Sequence, residues 1–138
     1  MILGIGMDVV EIARVERAAA RYGERFLNRA FTPEERDCCS RKTRAYEGSP
    51  RVRAHAGYWE SLAARFAVKE AAFKALGCGW SECGGFTSVE VVSDAGARPG
   101  IVFHGGAARL AAERGVRRAH VSITHDAGFA AAVVVLEG

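Results

Sequence analysis

The strongest constraint on the fold is a long helical pattern near the middle of the chain, at residues 59–76 (WESLAARFAVKEAAFKAL). Four large apolar residues recur there at helical spacing: Leu62, Phe66, Phe73 and Leu76. They predict one helix with a single apolar face, and Gly77 marks its end. Such a helix must pack against other elements, because an apolar face is stable only when it is covered.

The rest of the chain contains short strand patterns and three further helical segments. Strands are predicted at 2–7, 86–93, 101–104, 120–124 and 129–136, and helices at 11–26, from Pro33 and at 107–114. Thr32 and Glu35 form a helix-start signature, with Pro33 at the first helical position. The order favours an α+β fold with a mainly antiparallel sheet, in one domain spanning 1–138.

Two segments are predicted to be irregular, and one strand stands out. Residues 40–57 are basic and rich in turn formers and are interpreted as a long loop, and residues 95–99 as a turn. The strand 129–136 (FAAAVVVL) is apolar on both faces. We therefore expect it to be central in the sheet or to lie at a subunit contact.

Composition excludes several classes of protein. Hydrophobic residues make up 49% of the 138 residues and charged residues 25%, which argues against a disordered chain. No stretch of 18 apolar residues occurs, so we expect no membrane span and a cytoplasmic location. The four cysteines, at positions 38, 39, 78 and 83, match no common zinc spacing and are expected to be reduced thiols.

Charged residues on the central helix point to chemistry. Lys69 falls among the large apolar residues of the helical wheel and Glu70 at their edge, where charges are costly unless paired or liganded. Lys74 lies four residues after Glu70, so a surface ion pair is one interpretation. The other is a cation site, in which Glu70 and one other carboxylate hold a hard cation and phosphates are drawn to Arg65, Lys69 and Lys74. Magnesium typically binds one or two carboxylates together with substrate phosphates.

Three further features each have two interpretations. Asp8, after the first strand, either caps the following helix or binds a metal. His125, at the end of a strand, is either a structural hydrogen-bonding residue or a functional one. Arginines at positions 14, 17, 21 and 25 line one side of the first helix, either as a solvated face or as a dock for an acidic partner. Nucleic acid is a weaker alternative, because no aromatic residues alternate with the basic ones.

Three segments together resemble a known family. They are residues 4–10 (GIGMDVV), 65–77 (RFAVKEAAFKALG) and 120–125 (HVSITH), and 96–99 (GARP) adds weaker support. In order and spacing they are similar to the holo-[acyl-carrier-protein] synthases, the small one-lobed phosphopantetheinyl transferases. Residues 38–58 form a loop insertion relative to the shortest members of that family.

The resemblance implies an activity and a fold of the phosphopantetheinyl transferase type. Such enzymes use Mg²⁺ to move the 4′-phosphopantetheine arm of coenzyme A onto a serine of apo acyl carrier protein, and they release adenosine 3′,5′-bisphosphate. The carrier belongs to fatty-acid or polyketide synthesis. Members form homotrimers with sites between subunits.

The resemblance also implies residue roles. Asp8 and Glu70 match the metal ligands and, with Lys74, the catalytic residues. Coenzyme A binding is implied for five positions: Arg65, Lys69, Lys74, Thr124 and His125. Docking of the carrier is implied for Arg14 and Arg21, and Arg17 is a docking candidate because it lies in the same row of arginines. The competing hypothesis is a docking module of the same fold that lacks catalysis and ignores magnesium.

Overall fold

The protein has an α+β architecture in a computed structural model that describes residues 1–44, 54–93 and 98–138. The elements in chain order are β1 (Ile2–Glu11), α1 (Ile12–Tyr22), α2 (Glu24–Ala30), α3 (Pro33–Arg44), α4 (Ala54–Leu76), a 3₁₀ turn (Phe86–Ser88), β2 (Val89–Val92), β3 (Gly100–Phe103), α5 (Gly105–Glu113), β4 (Arg118–Asp126) and β5 (Phe129–Glu137). The predicted fold class is confirmed.

All strand pairs of the described chain are antiparallel. One sheet has the order β1-β5-β4, and β2 and β3 form a separate pair. The strand β5 is therefore central, as its apolar sequence predicted. Its even-numbered residues from Ala130 to Leu136 are buried against the helices, and its odd-numbered residues face outward and are only half-buried.

The central helix α4 is buried on nearly all sides, which corrects the prediction of one apolar face. Alanines fill the positions between its large residues, and those at 63, 67, 71 and 72 are inaccessible to solvent. A helix that is covered all round belongs to the interior of a domain. The small side chains allow strands on one side and α3 on another to approach it.

Two glycines set the distance between β1 and α4. A Cβ atom on Gly4 would lie 2.1 Å from the carbonyl oxygen of Ala75, and one on Gly6 would lie 1.8 Å from that of Ala71. Backbone therefore packs directly on backbone, which no larger residue permits. Asp8 follows on the same face of β1, because side chains alternate along a strand.

The helix that was predicted for residues 11–26 is two helices in the structure. The first ends at Tyr22, where Gly23 adopts φ +60° and donates its backbone N–H to Ala19 at 2.8 Å. A second helix, α2, begins at Glu24. The positive φ explains the break, because glycine enters this conformation without steric cost.

The start of α3 is confirmed in detail. The Thr32 Oγ1 accepts the backbone N–H of Glu35 at 3.2 Å, and the Glu35 carboxylate accepts that of Thr32 at 2.9 Å. This reciprocal pair is a capping box. It gives α3 a fixed N-terminus at the position that the sequence indicated.

Other predicted boundaries were wrong. The segment 40–57 is not all loop, since α3 continues to Arg44 and α4 starts at Ala54; the part between them lies outside the described residues. The strand predicted at 86–93 opens with a 3₁₀ turn and is extended only over Val89–Val92. Residues 95–97 of the turn predicted at 95–99 also lie outside the described residues, and they include Gly96 and Ala97 of the GARP segment.

The expectation that all cysteines are thiols was wrong for two of them. Cys78 and Cys83 form a disulfide after the end of α4. Gly77 has φ +63° and turns the chain out of the helix, and the N–H of Cys83 bonds to the carbonyl of Gly79 at 3.2 Å. This tight return brings the two sulfur atoms together.

Within the described ranges, no helix is long and apolar enough to cross a membrane.

Candidate active site

Asp8 projects from the inner face of β1 toward the last turns of α4. The Lys74 Nζ donates to Asp8 Oδ1 at 2.9 Å and to the carbonyl oxygen of Met7 at 3.0 Å. The capping interpretation of Asp8 is not what the structure shows, because the N-cap residue of α1 is Glu11. The close packing at Gly4 and Gly6 brings the two side chains within reach.

Glu70 lies one helical turn before Lys74 and is half-buried. Burial raises the pKa of Glu70, and the nearby negative charge of Asp8 raises it further, while Lys74 and Arg14 oppose the shift. Its carboxylate accepts no hydrogen bond from the described part of the chain, so its oxygens face the site without a donor. Asp8 and Glu70 therefore form an electrostatically coupled pair of carboxylates, as expected for a shared cation.

The donor set fits Mg²⁺. This ion binds through one or two carboxylates, keeps several waters and takes substrate phosphates as its other ligands. Among the described residues no three His, Cys, Asp or Glu side chains gather around one point, so a cation held by Asp8 and Glu70 would take its other ligands from water or substrate. The repulsion between Asp8 and Glu70, which Lys74 and Arg14 offset only in part, is what a divalent cation would relieve.

Lys69 does not share this site. Its side chain has no exposure, and its ammonium donates to the Glu35 carboxylate at 2.7 Å, to the carbonyl of Val89 at 2.7 Å and to that of Phe86 at 3.1 Å. All three protons have acceptors. Burial lowers the pKa of Lys69, against the opposing charge of Glu35. The expected contact between Lys69 and a phosphate is incompatible with this arrangement.

Arg65 is also buried, with 4% of its surface exposed. Its guanidinium contacts α3 and its own helix: Nη2 donates to the Cys38 sulfur at 3.3 Å and Nη1 to the Ser61 hydroxyl at 2.7 Å. Its Nε is buried without a partner in the described structure. One nitrogen thus remains for another acceptor, and the predicted role of Arg65 in coenzyme A binding stays a prediction.

Thr124 and His125 lie on opposite faces of β4, near its end. Both are exposed. The register pairs His125 with Ala130, whose partner on β1 is Val10. His125 therefore shares the inner face with Asp8, about 10 Å away across two strands and about 7 Å further along the strand direction. Thr124 instead faces outward. The structure therefore does not bring both side chains to one place within a single chain.

Three of the four arginines predicted along one helix lie on α1, and the fourth, Arg25, lies on α2 after the break at Gly23. Arg14, Arg17 and Arg21 are exposed, and Arg14 is close enough to Glu70 to oppose its pKa shift. Arg17 bonds to Glu11 at 3.3 Å, and the Arg21 guanidinium lies 5.2 Å from the centre of the Tyr22 ring. The row therefore begins at the edge of the carboxylate pair and leads away from it.

The chain is similar to known proteins over nearly its whole length. Residues 4–134 match the family model described as the 4′-phosphopantetheinyl transferase superfamily. The chain belongs to this superfamily. It is therefore a transferase, and the family resemblance predicted from the sequence is confirmed.

Similar members of the superfamily are known across bacteria. The chain is 44% identical to the holo-[acyl-carrier-protein] synthase of Desulfovibrio desulfuricans, over 99% of this chain and 98% of that one. It is 45% identical to the synthase of Koribacter versatilis, over 99% of both. These relatives span the whole length of the chain rather than one motif.

Solved structures of the superfamily share the fold. The crystal structure of the synthase from Neisseria meningitidis has a TM-score of 0.78 and 29% identity, over 100% of both chains. That of the Helicobacter pylori synthase, in complex with coenzyme A, has a TM-score of 0.72 and 30% identity, over 96% of this chain and 99% of that one.

Two features, one in the site and one on the far side of α4, were missed in the sequence. Gly4 and Gly6 set the spacing of the carboxylates, and Glu35 neutralises Lys69. The alternation of glycine with larger residues before Asp8 is a usable signal for close packing on one strand face. The need of a buried lysine for a carboxylate is another, although 34 residues separate Glu35 from Lys69.

Proposed function

We propose that the chain transfers the 4′-phosphopantetheine arm of coenzyme A to a serine of apo acyl carrier protein, with Mg²⁺, and releases adenosine 3′,5′-bisphosphate. The observation that carries the proposal is the coupled pair Asp8 and Glu70, with Lys74 bonded to Asp8. The names of the full-length relatives and the coenzyme A in the H. pylori structure support it.

In the proposed reaction the carrier's serine oxygen forms a bond to the phosphorus of the pantetheine-bearing phosphate. The bond from that phosphorus to the adenosine bisphosphate breaks, and the serine proton passes to a base. Mg²⁺, held by Asp8 and Glu70, would supply neutralisation of the charge on the pyrophosphate. Lys74, whose side chain is 54% exposed, would contact a phosphate as a point charge.

The proposed coenzyme A site uses Lys74, Arg65, Thr124 and His125 and leaves out Lys69, whose protons are all engaged. Since Thr124 and His125 point to opposite faces, we propose that they serve sites in different chains. A cavity of about 350 Å³ lies beside the start of α1, but Asp8, Glu70 and Lys74 do not line it.

We propose a homotrimer that buries the outer face of the β1-β5-β4 sheet. Ile5, Met7 and Val9 project from this face with exposures of 61%, 59% and 55%. They lie beside Val135, Val133 and Ala131 of the central strand. A contiguous apolar face of this kind marks an interaction surface. The site would then combine Asp8 and Glu70 of one chain with His125 of a neighbour.

Light scattering after size exclusion tests the assembly. We expect a trimer for the wild type and smaller species for Ile5→Lys. Val102→Lys is the matched control, because Val102 is 41% exposed on β3, outside the three-stranded sheet. A monomeric wild type, or a trimer that survives Ile5→Lys, argues against burial of this face.

We propose that the arginine row docks the carrier. Arg14, Arg17 and Arg21 are exposed along one helix, where they suit carboxylates on a facing helix. The carrier is one of fatty-acid or polyketide synthesis, and the expected location is the cytoplasm. Parallel assays with one carrier of each kind separate the two.

The experiment that tests the reaction is intact-protein mass spectrometry of apo acyl carrier protein after incubation with the enzyme, coenzyme A and Mg²⁺. We expect the carrier to gain one phosphopantetheine, and an EDTA control to show none. No gain with several carriers and a folded enzyme would overturn the proposal in favour of a docking module. A gain that persists in EDTA would overturn the role of the metal.

A further inference from the structure

A buried network of hydrogen bonds holds α4 on the side away from β1. Glu35 is 1% exposed and Lys69 is inaccessible, and they form an ion pair of 2.7 Å. The Glu35 Oε1 also accepts the N–H of Thr32 at 2.9 Å, and its Oε2 accepts that of Val91 at 3.1 Å. One carboxylate thus connects the start of α3, the middle of α4 and strand β2.

The network leaves no group open for a ligand. Lys69 uses its remaining two protons on the carbonyl oxygens of Phe86 and Val89. Every proton of the ammonium therefore has an acceptor. Two of the three acceptors are backbone carbonyl oxygens, and the third belongs to the capping box of α3. The pair is part of the framework of the protein and lies outside the substrate site.

The network adjoins the carboxylate pair through the helix. Glu70 directly follows Lys69, so their side chains leave α4 about 100° apart. On another side, Ala71 and Ala75 touch the glycines of β1. The glycine contacts set the distance between helix and strand. On the opposite side of the helix, Lys69 is tied to three acceptors, on α3, β2 and the 3₁₀ turn before β2.

We propose that Glu35 and Lys69 are positioning residues that hold α4 at the rotation directing Glu70 and Lys74 toward Asp8. This inference rests on the proposed function, in which Asp8 and Glu70 hold the metal. It gives Lys69 a role in the reaction without contact to a phosphate.

The size of the effect follows from helix geometry. A side-chain tip lies roughly 6 Å from a helix axis, so a rotation of about 10° moves it by about 1 Å. A displacement on that order costs about 100-fold in rate at a catalytic site. Two apolar side chains would fill the same space and often give equal stability, but they lack the directional bonds that select one rotation.

Three variants separate positioning from stability. Lys69→Met leaves Glu35 with a buried charge. The double variant Glu35→Gln/Lys69→Met removes both charges at similar volume. Leu27→Ala is the matched control, because Leu27 is 8% exposed on α2 and takes no part in the network. Three quantities are measured well below the melting temperature of each variant: Tm, kcat, and Mn²⁺ affinity from the electron paramagnetic resonance signal of free Mn²⁺, with and without coenzyme A.

We expect Lys69→Met to lower Tm and the double variant to recover part of that loss, because the amide keeps only one of the two acceptor oxygens that Thr32 and Val91 use. In both variants kcat should fall at least tenfold and Mn²⁺ should bind at least tenfold more weakly, with KM for the carrier within twofold of wild type. Leu27→Ala should lower Tm while kcat and Mn²⁺ affinity stay within twofold. This separation of stability from metal binding is the signature of positioning.

A double variant with wild-type kcat and Mn²⁺ affinity would overturn the inference, since the pair would then matter for stability alone. If Lys69→Met does not fold, the double variant decides. If the wild type binds Mn²⁺ but modifies no carrier, the proposed function fails, and the Mn²⁺ comparison still decides the positioning role.

Discussion

Lys74 on α4 donates a hydrogen bond of 2.9 Å to Asp8 on β1, across the contact that Gly4 and Gly6 make possible. Glu70 lies one turn earlier on the same helix, and Asp8 and burial together raise its pKa. The site thus gathers two negative groups and one positive group from two elements whose backbones touch. Its function depends on the charges and on the distance between the elements, and each can be changed separately.

Glu70→Gln tests the charges. We expect this variant to fold normally and to lose transfer, by at least 1000-fold, because the amide is a poor ligand for Mg²⁺. Mass spectrometry of the carrier measures the loss. In parallel, adding Mg²⁺ at 100 times Kd to enzyme that already holds coenzyme A should stabilise the wild type by about 2.7 kcal/mol and so raise its Tm. The same addition should leave Tm of the variant unchanged. A fully active variant would rule out Glu70 as a metal ligand.

The pH dependence of stability follows from the raised pKa of Glu70. A carboxyl whose pKa is higher in the folded state stabilises the fold below its unfolded pKa, and this contribution is lost as pH rises through the folded pKa. Without metal, Glu70→Gln should therefore have a higher Tm than wild type at pH 7. The difference should disappear below about pH 4, where the unfolded carboxyl is also protonated. Calorimetry at both pH values measures it, and equal Tm values at pH 7 would contradict the raised pKa of Glu70.

Gly6→Ala tests the distance. The new Cβ would fall 1.8 Å from the carbonyl oxygen of Ala71, so helix and strand must separate. We expect a loss of about 1–3 kcal/mol in the free energy of unfolding and a drop in kcat larger than the unfolded fraction explains. Denaturant titration and initial rates measure the two effects.

Gly57→Ala is the control for that variant. Gly57 belongs to the same helix, and nothing lies within 4 Å of an added Cβ. This change should stabilise the protein by about 0.5–1 kcal/mol and leave kcat unaltered. Equal behaviour of the two variants would mean that close packing at Gly6 has no part in catalysis.

Arg14→Glu tests the carrier dock. Reversing an exposed charge at the edge of the site should raise KM for the carrier on the order of 10-fold and KM for coenzyme A much less, with the difference shrinking at high salt. Arg109→Glu makes the same change on α5, where Arg109 is exposed beside Glu113. We expect normal steady-state kinetics for that variant. Equal effects at both positions would point to net charge rather than to a docking surface.

Reduction of the disulfide should lower stability without abolishing the reaction. The bond closes a short loop between Cys78 and Cys83, so its loss should cost about 2 kcal/mol. A dithiol reductant should lower Tm of the wild type and leave that of Cys78→Ala/Cys83→Ala unchanged. If the reductant shifts Tm of both proteins equally, its action does not involve this bond.

Local signals were predictable from the sequence, and contacts between distant segments were not. The capping box of Thr32 and Glu35 depends on residues three apart and was found correctly. The same Glu35 also neutralises Lys69, and no periodicity connects positions so far apart. The helical wheel placed Lys69 and Glu70 next to each other at the apolar face, yet one is framework and the other belongs to the site. Only the elements packed around α4 distinguish them.

The disulfide illustrates the same limit. A spacing of four residues between cysteines carries no pairing rule, and the bond depends on the turn that begins at Gly77. The break at Gly23 was even harder to predict from the sequence, because the pattern of apolar residues continues across it. In both cases a glycine with positive φ decided the path of the chain.

The glycine contacts of β1 have a consequence for anyone who would transplant this site. The separation of Asp8 and Glu70 is set by the contact between two main chains. A change of side-chain rotamer does not alter that contact. Copying the acidic residues and the lysine into another scaffold would reproduce the chemistry of the ligands but not their spacing. The transferable unit is the strand together with the helix, as one rigid part.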